Sequence, residues 1–142
     1  MMSVSSVMTA NPACCTPSTL VQDVAKLMIE NDCGEIPVVE DMASRRLAGV
    51  ITDRDIATRI VATGKNSAEA KACDCMTTDC VTVTADTSLK ECCEAMESNK
   101  IRRVPVLDAS GGVIGIVSLA DVVRNAETST TAAVVMEVST DI

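Results

Sequence analysis

Two short motifs in this chain place a hydroxyl three residues before a carboxylate. They are Thr52-Asp53-Arg54-Asp55 and Ser118-Leu119-Ala120-Asp121, and each follows an apolar, strand-like segment that begins with glycine, at Gly49 and at Gly115. A hydroxyl and a carboxylate at this spacing can cap the helix that they open. Where such a helix follows a strand, the same groups can instead bind a phosphate and the hydroxyls of a ribose. Both interpretations are open, and the second copy of the motif points to two related sites.

The two motifs belong to an internal duplication. Val7-Met8-Thr9 recurs as Cys75-Met76-Thr77. The same offset relates further identical pairs: Thr16 and Thr84, Met28 and Met96, Asn31 and Asn99, Pro37 and Pro105, Val38 and Val106. After a turn that is shorter in the second copy, the match resumes at Gly49 with Gly115 and continues to Asp55 with Asp121. The chain therefore contains two copies of one small unit.

Each copy predicts a short extended segment followed by a helix. The extended segments are residues 13–16 and 81–84. The helices are indicated by apolar residues three and four positions apart: Leu20, Val24, Leu27 and Met28, and in the second copy Leu89, Cys92, Cys93 and Met96. Thr19 with Gln22, and Ser88 with Glu91, have the spacing of a capping box. This spacing predicts that both helices begin at a hydroxyl side chain.

Two β-rich segments and a second helix complete each copy. The β segments form predicted hairpins, residues 36–39 with 47–52 and residues 104–107 with 113–118. The second helix is indicated by Ile56, Ile60 and Val61, with Gly64 as its C-cap, and in the second copy by Val122 and Val123. Each copy has the order βαββα, so the predicted fold class is α/β.

Neither copy is expected to be stable alone. A small sheet with helices on one face exposes its other apolar surface, so two pseudo-symmetric repeats are predicted to pack face to face through their sheets. The predicted boundaries are residues 7–62 for repeat 1, 63–74 for a linker, 75–126 for repeat 2 and 127–142 for a C-terminal tail. In the tail, residues 132–138 could add a strand or contact a partner. The aliphatic faces of the second helices exceed what one small core needs, which favours a homodimer.

The composition excludes several classes of function. The net charge is −8 and the sequence pI is about 4.4, which disfavours binding to nucleic acid. There is no His, so the chain has no imidazole base, and no Lys or Cys lies beside an evident base, which disfavours an enzyme. No apolar run approaches the roughly 18 residues of a membrane span, and the start of the chain lacks the pattern of a signal peptide. A cytoplasmic protein with no membrane partner is therefore expected.

The eight cysteines are predicted to be mostly buried, reduced thiols. Five of them take the place of small apolar residues in the other copy: Cys15, Cys33, Cys75, Cys92 and Cys93. A zinc site built from Cys73, Cys75 and Cys80 is a minor alternative, because the spacing is irregular and no fourth ligand is evident. A redox switch at Cys14-Cys15 is another, because a disulfide between neighbours is strained.

Over residues 7–126 the chain resembles a tandem pair of CBS domains (cystathionine β-synthase type), also called a Bateman module. Its marks are the Met-Thr start, the helix that ends in methionine, the Ile36-Pro37-Val38 or Val104-Pro105-Val106 strand, and the Gly-x-x-Thr/Ser-x-x-Asp ending. Each mark is weak alone, but their order and repetition make the resemblance specific. It implies two clefts between the repeats, which in this family hold adenosine-containing ligands, most often AMP, ADP or ATP.

The resemblance also implies which residues form each cleft, with the Thr/Ser-x-x-Asp motif of one repeat facing the first strand and pre-proline segment of the other. Cleft one would contain Val50, Ile51, Thr52, Arg54 and Asp55 with Thr77, Val81, Arg102, Arg103, Val104 and Pro105. Cleft two would contain Ser118 and Asp121 with Thr9, Ala13, Gly34, Glu35 and Ile36. Asp55 and Asp121 would bind ribose hydroxyls, Thr52 and Ser118 a phosphate or ribose oxygen, and the backbone beside Pro37 and Pro105 the adenine edge.

The arginines favour a phosphorylated ligand and an unequal pair of clefts. Arg54, Arg102 and Arg103 are the predicted phosphate cations of cleft one, although exposed surface charge is their simpler interpretation. Gly34-Glu35 takes the equivalent position in cleft two, so cleft one is expected to bind AMP, ADP or ATP more tightly. The predicted function is a stand-alone adenine-nucleotide sensor that acts on an unknown effector protein, with no metal and no other cofactor. The alternatives are a scaffold protein that binds no nucleotide and a binder of S-adenosylmethionine.

Overall fold

The structure, a computed structural model, describes residues 2–125, which form two compact units. The repeat-1 unit consists of residues 12–80 and 111–113, and the repeat-2 unit consists of residues 2–11, 81–110 and 114–125. The leading segment of each repeat thus lies in the unit of the other repeat. The predicted tail, including its possible strand at residues 132–138, lies outside the described residues.

The order βαββα recurs in each copy as the sequence predicts, but the first strand lies at Thr9–Ala10 rather than at the predicted residues 13–16, of which only Cys15 forms a bridge. In chain order they are β1 (Thr9–Ala10), α1 (Val21–Asn31), β2 (Glu35–Val39), β3 (Leu47–Thr52), α2 (Asp53–Ile56), β4 (Val83–Thr84), α3 (Leu89–Asn99), β5 (Arg103–Leu107), β6 (Val113–Ser118) and α4 (Leu119–Asn125). Helix α2 continues as a π-helical segment, Ala57–Val61. Single 3₁₀ turns lie at Val4–Ser6 and Ala72–Asp74.

The repeat-2 unit is built on a four-stranded sheet in the order β1-β6-β5-β4. Strand β1 is antiparallel to β6, with Thr9 opposite Ile116, and β4 is parallel to β5, with Val83 opposite Val106. One core cluster fills this unit: Val4, Val83, Leu89, Cys92, Cys93, Met96, Val104, Val106, Val117 and Val122. Because β-branched residues dominate the strands and smaller residues fill the gaps, the core closes without aromatic side chains.

The repeat-1 unit has the same arrangement of strands, but its two outer strands are reduced to single-residue bridges. Strands β2 and β3 are antiparallel, and Glu35 lies opposite Thr52. Single-residue bridges take the places of the two outer strands, Thr77 beside Val50 and Cys15 beside Val38. Its core cluster is Cys15, Val21, Val24, Met28, Ile36, Val38, Ile51, Ile60, Ala72 and Cys75.

The predicted capping hydroxyl is correct for α3 and wrong for α1. Ser88 is the N-cap of α3 and its Oγ accepts from the Glu91 N–H at 3.1 Å. Helix α1 begins one residue later than predicted, with Leu20 at the N-cap position and no side-chain cap. Leu20 is extended because it forms a bridge with Lys71, while the Thr19 hydroxyl accepts from the Thr16 N–H at 3.1 Å.

The second helices present only part of the aliphatic faces that suggested a dimer. Ile60 and Val122 are fully buried in the cores of their own units, and Ile56 packs against the repeat-1 core. Val61, predicted to share their face, is 68% exposed, because neighbouring residues of a helix project about 100° apart and Ile60 takes the core-facing position. Val123 is 42% exposed. These apolar faces are therefore mostly used within each unit.

The cysteines are buried as predicted with two exceptions. Cys14, Cys15, Cys75, Cys92 and Cys93 are buried, Cys80 is half-buried, and Cys73 and Cys33 are exposed. The prediction for Cys33 was wrong because this residue follows the left-handed C-cap Asp32, in the connection to β2, rather than a core face. Burial raises the pKa of Cys15 and of Cys92 to about 12. These thiols are therefore protonated at neutral pH.

Residues 2–125 were searched for membrane-spanning helices and for metal-binding clusters. Over this range, no helix has both the length and the apolar character needed to cross a membrane. The same residues contain no cluster of three or more Cys, Asp or Glu side chains placed to hold a metal ion. Cys73, Cys75 and Cys80, the zinc alternative, are not part of such a cluster.

Candidate functional site

The two hydroxyl–carboxylate motifs form reciprocal caps. The Thr52 hydroxyl accepts from the Asp55 N–H at 3.1 Å, and Asp55 Oδ2 accepts from the Thr52 N–H at 2.9 Å. The Ser118 hydroxyl accepts from the Asp121 N–H at 3.2 Å, and Asp121 Oδ2 accepts from the Ser118 N–H at 3.0 Å. The capping interpretation is thus confirmed at both motifs. Each cap uses Oδ2 and leaves Oδ1 of the carboxylate for other contacts.

A leading Met-Thr segment lies against the strand before each motif. In the repeat-1 unit, Val50 and Thr77 exchange two backbone hydrogen bonds of 2.9 and 2.8 Å. A Cβ on Gly49 would lie 2.8 Å from the Thr77 carbonyl oxygen. In the repeat-2 unit, a Cβ on Gly115 would meet the Met8 sulfur and lie 3.1 Å from the Thr9 carbonyl oxygen. Glycine is required at both positions because the two backbones approach closely.

The pre-proline segments contact the motifs of their own repeats. The Leu119 N–H donates to the Arg102 carbonyl at 2.6 Å, and the Asp53 N–H donates to the Gly34 carbonyl at 2.9 Å. The predicted grouping of Arg102 and Arg103 with Thr52 and Asp55 of the other repeat stays a prediction. The structure places these arginines with Ser118, because the hairpin of each repeat joins its pre-proline strand directly to the strand that carries the motif.

The repeat-2 unit contains an open pocket of about 520 Å³ at this position. Its lining residues are Arg102, Arg103, Ser118, Leu119, Ala120, Val123 and Arg124. The volume lies within the range of small-molecule sites, roughly 300–1,000 Å³. Three guanidinium groups and one hydroxyl around an apolar floor are suited to an organic anion such as a nucleotide.

The equivalent position in the repeat-1 unit has a different charge. Glu35 takes the place of Arg103 and Gly34 that of Arg102. Glu35 is 6% exposed and lies opposite Thr52 in the β2–β3 register. Arg54, the predicted cation of this motif, is exposed. A buried carboxylate beside Thr52 disfavours a phosphate there.

Two arginines that the sequence analysis did not select contact the motif carboxylates. Arg124 Nη2 donates to Asp121 Oδ1 at 2.6 Å. Arg59 Nε lies 3.8 Å from Asp55 Oδ1, and its Nη1 also donates to the Cys75 carbonyl and to the Thr77 hydroxyl, at 3.0 and 3.1 Å. Their positions three and four residues after an aspartate on a helix were a usable signal.

The other predicted ligand residues divide between buried and accessible groups. Ile36, Ile51 and Val104 are fully buried, backbone included. Pro105 is buried as well, while Ala13 and Val81 are half-buried. The predicted pairing of residues from different repeats in one cleft remains a prediction.

Two βαββα repeats, each ending in a capped hydroxyl–carboxylate motif, define a duplicated α/β module. The family model described as "CBS domain" matches residues 4–62 and 72–127. The chain therefore belongs to the CBS domain family, as the sequence resemblance predicts.

Relatives with curated descriptions include two other CBS proteins. The CBS domain-containing protein YhcV of Bacillus subtilis (strain 168) is 36% identical over 125 residues, which cover 88% of this chain and 86% of YhcV. The mitochondrial CBS domain-containing protein CBSX3 of Arabidopsis thaliana is 38% identical over 112 residues, 78% of this chain and 54% of CBSX3. The chain thus spans about half the length of CBSX3.

Two similar solved structures contain adenosine compounds. CBSX2, crystallised in complex with AMP, has a TM-score of 0.75 and 31% identity, with 89% of this chain and 96% of that chain covered. The CBS domain pair of MJ0100, in complex with 5′-methylthioadenosine and S-adenosyl-L-methionine, has a TM-score of 0.76 and 26% identity, with 87% and 98% covered.

Proposed function

We propose that this CBS pair is a regulatory module that binds an adenosine phosphate, AMP or one of its higher phosphates, in the pocket of the repeat-2 unit. The observation that carries the proposal is the set of arginines around Ser118 in that pocket. Arg102, Arg103 and Arg124 offer the charge-assisted hydrogen bonds that a phosphate requires. The AMP complex of CBSX2, a similar structure, supports the choice of ligand class.

Each part of the ligand has a suitable protein group. Asp121 is the ribose partner, because a carboxylate accepts from two neighbouring hydroxyls. The Ser118 hydroxyl and the arginines are the phosphate partners. The backbone beside Pro105 is the partner of the adenine edge, since proline fixes the local backbone. Each bond to a charged group contributes about 1.5–3 kcal/mol.

The tighter phosphate site is assigned here to Ser118 and Asp121, the reverse of the expectation from sequence. The reversal follows from the position of Arg102 and Arg103 beside Ser118. The Thr52–Asp55 motif, with Glu35 opposite Thr52, suits an adenosine compound without phosphate. S-adenosylmethionine is therefore the second candidate, for the repeat-1 site only, and the MJ0100 complex supports it.

The module would act by regulating a separate effector protein and would not catalyse a reaction itself. We propose no catalytic role, a cytoplasmic location and a homodimer, with no nucleic-acid or membrane partner. Val123 and Val61 are the exposed apolar residues of the second helices that a dimer contact would cover. Light scattering that gives a 14.8 kDa particle across micromolar concentrations would contradict the dimer.

The experiment is calorimetric titration with AMP, ADP, ATP and S-adenosylmethionine, together with mass spectrometry of small molecules released from the purified protein. Wild type is expected to bind AMP, and Asp121→Asn to lose at least about tenfold in affinity, since one charge-assisted bond is lost. Asp55→Asn is the matched control in the other repeat and is expected to retain AMP affinity.

Two outcomes would contradict this assignment. Loss of AMP binding in Asp55→Asn, but not in Asp121→Asn, would place the tight site in the repeat-1 unit. Failure of every adenosine compound to bind at millimolar concentration would favour the scaffold alternative.

A further inference from the structure

Both oxygens of the Asp121 carboxylate accept a hydrogen bond in this structure. Its Oδ2 accepts from the Ser118 N–H at 3.0 Å as part of the helix cap, and its Oδ1 accepts from Arg124 Nη2 at 2.6 Å. Because Oδ2 already accepts from the backbone of the cap, a ribose hydroxyl that approaches Oδ1 competes there with the Arg124 guanidinium. The ion pair with Arg124 therefore weakens the interaction of this carboxylate with ribose hydroxyls.

Arg124 can leave Asp121 without disturbing the core. Its side chain is 68% exposed, whereas the Asp121 side chain is 13% exposed. Arg124 also lines the pocket together with Arg102 and Arg103. A phosphate in that pocket gives the displaced guanidinium a new anionic partner, and an uncharged nucleoside gives it none. The exchange of partners thus costs less free energy for a nucleotide than for a nucleoside.

We propose that Arg124 is a specificity-determining residue that makes ribose binding at Asp121 depend on the presence of a phosphate. It pairs with Asp121 in the absence of ligand and transfers to the phosphate when a phosphorylated adenosine binds. This inference rests on the proposed function of the same pocket. The preference for phosphate then has two causes: the arginines attract the phosphate directly, and the ion pair of Arg124 with Asp121 competes with ribose binding.

The repeat-1 unit lacks this exchange. The residue equivalent to Arg124 is Thr58, and the arginine near Asp55 is Arg59. Arg59 lies 3.8 Å from Asp55 Oδ1 and is held by the Cys75 and Met76 carbonyls and the Thr77 hydroxyl. A guanidinium held by several backbone and side-chain acceptors does not need a phosphate as its partner. The dependence on phosphate is therefore specific to the Asp121 site.

The test compares AMP with adenosine by calorimetry in wild type, Arg124→Ala and Lys26→Ala. Lys26 is the control because it forms an i,i+3 contact with Asp23 on α1 and is similarly exposed. Arg124→Ala is expected to bind adenosine about fivefold more tightly and AMP about fivefold more weakly, so the ratio of the two affinities falls by more than about tenfold. Arg124→Lys, which keeps the charge, is expected to retain part of the preference.

A gain in adenosine affinity is the informative result, because an arginine that only attracts phosphate would leave adenosine binding unchanged. Suppose that wild type binds AMP, and that Arg124→Ala either leaves the affinities for AMP and adenosine unchanged or weakens both equally. This result would overturn the inference about Arg124 and leave the proposed function intact. Absence of AMP binding in wild type would overturn the proposed function and this inference together. A change in the ratio for Lys26→Ala would likewise count against it, since any lost surface cation would then suffice.

Discussion

In the repeat-2 unit, Ser118 shares a pocket with three arginines, one of which pairs with Asp121, whereas in the repeat-1 unit Thr52 lies opposite the buried Glu35. The backbone of the two sites is the same down to the reciprocal cap and the close approach of a Met-Thr segment. Duplication has therefore preserved the geometry that shapes the site, while the charges around it have diverged. One fold can thus carry, in a single chain, two sites with the same backbone and different charges.

The largest expected contrast between the repeats is in thiol reactivity. Cys33 follows α1 and is exposed, while Cys92 lies in the core and burial raises its pKa to about 12. We expect Cys33 and Cys73 to react with a thiol reagent at least about 100-fold faster than Cys92, because a buried thiol must wait for local opening and for ionisation. Peptide mapping after a short labelling pulse gives the rates. Cys33→Ile, the residue of the other repeat, should remove one fast equivalent, and rapid labelling of Cys92 would contradict the burial.

A second contrast concerns the glycines of the close approach. Gly49→Ala is expected to lower the free energy of unfolding by about 3 kcal/mol and Gly115→Ala by about 1 kcal/mol. The Gly49 Cβ would press on the Thr77 backbone, whereas the Gly115 Cβ would press mainly on the flexible Met8 side chain. Urea denaturation measures both. In a Met8→Ala background, Gly115→Ala should lower the free energy of unfolding by less than it does in wild type. Met76→Ala should not reduce the loss caused by Gly49→Ala. A smaller loss in both backgrounds would show that the two repeats accommodate the added methyl group in the same way.

A third contrast is in alkaline stability. The thiol of Cys92 releases its proton above about pH 8.5 in the unfolded chain but only near pH 12 when folded, so rising pH favours unfolding across this interval. Cys92→Val, which copies Val24 of repeat 1, should reduce the pH dependence of the unfolding free energy by up to about 1.4 kcal/mol per pH unit. Denaturant titrations between pH 8 and pH 10.5 test this. If the free energy of unfolding depended equally on pH in wild type and variant, the pKa of Cys92 would not differ between the folded and unfolded states.

The smallest contrast is in the helix caps. Ser88→Ala should cost about 1 kcal/mol, because the Glu91 N–H loses its acceptor at the start of α3. Thr19→Ala should leave the start of α1 intact, since the Gln22 N–H donates to the Ser67 carbonyl instead. Amide hydrogen exchange at Glu91 and Gln22 distinguishes these effects. Faster amide exchange at Gln22 in Thr19→Ala would instead show that Thr19 caps α1, as the sequence predicts.

Much of the fold could be predicted from the sequence because its signals are local and occur twice. The β3 and β6 boundaries follow from runs of β-branched residues that end at a capping motif, and the helix α3 from apolar spacing after Ser88. Repetition of weak marks in the same order identified the family. The error at Thr19 arose because a hydroxyl at capping spacing occurs one residue before the true cap, where the bridge between Leu20 and Lys71 decides the helix start.

The amino-acid sequence by itself determined the repeat, the caps and the identity of the charged residues near each motif. Only the tertiary structure decided which charges meet. Arg102 and Arg103 lie beside Ser118 because a hairpin brings its two strands together, and Arg124 turns onto Asp121 because three residues span one turn of a helix. Burial is a tertiary property for the same reason: Cys33 and Cys92 both occupy apolar positions of the repeat, yet only the packing of the elements leaves Cys33 exposed and encloses Cys92.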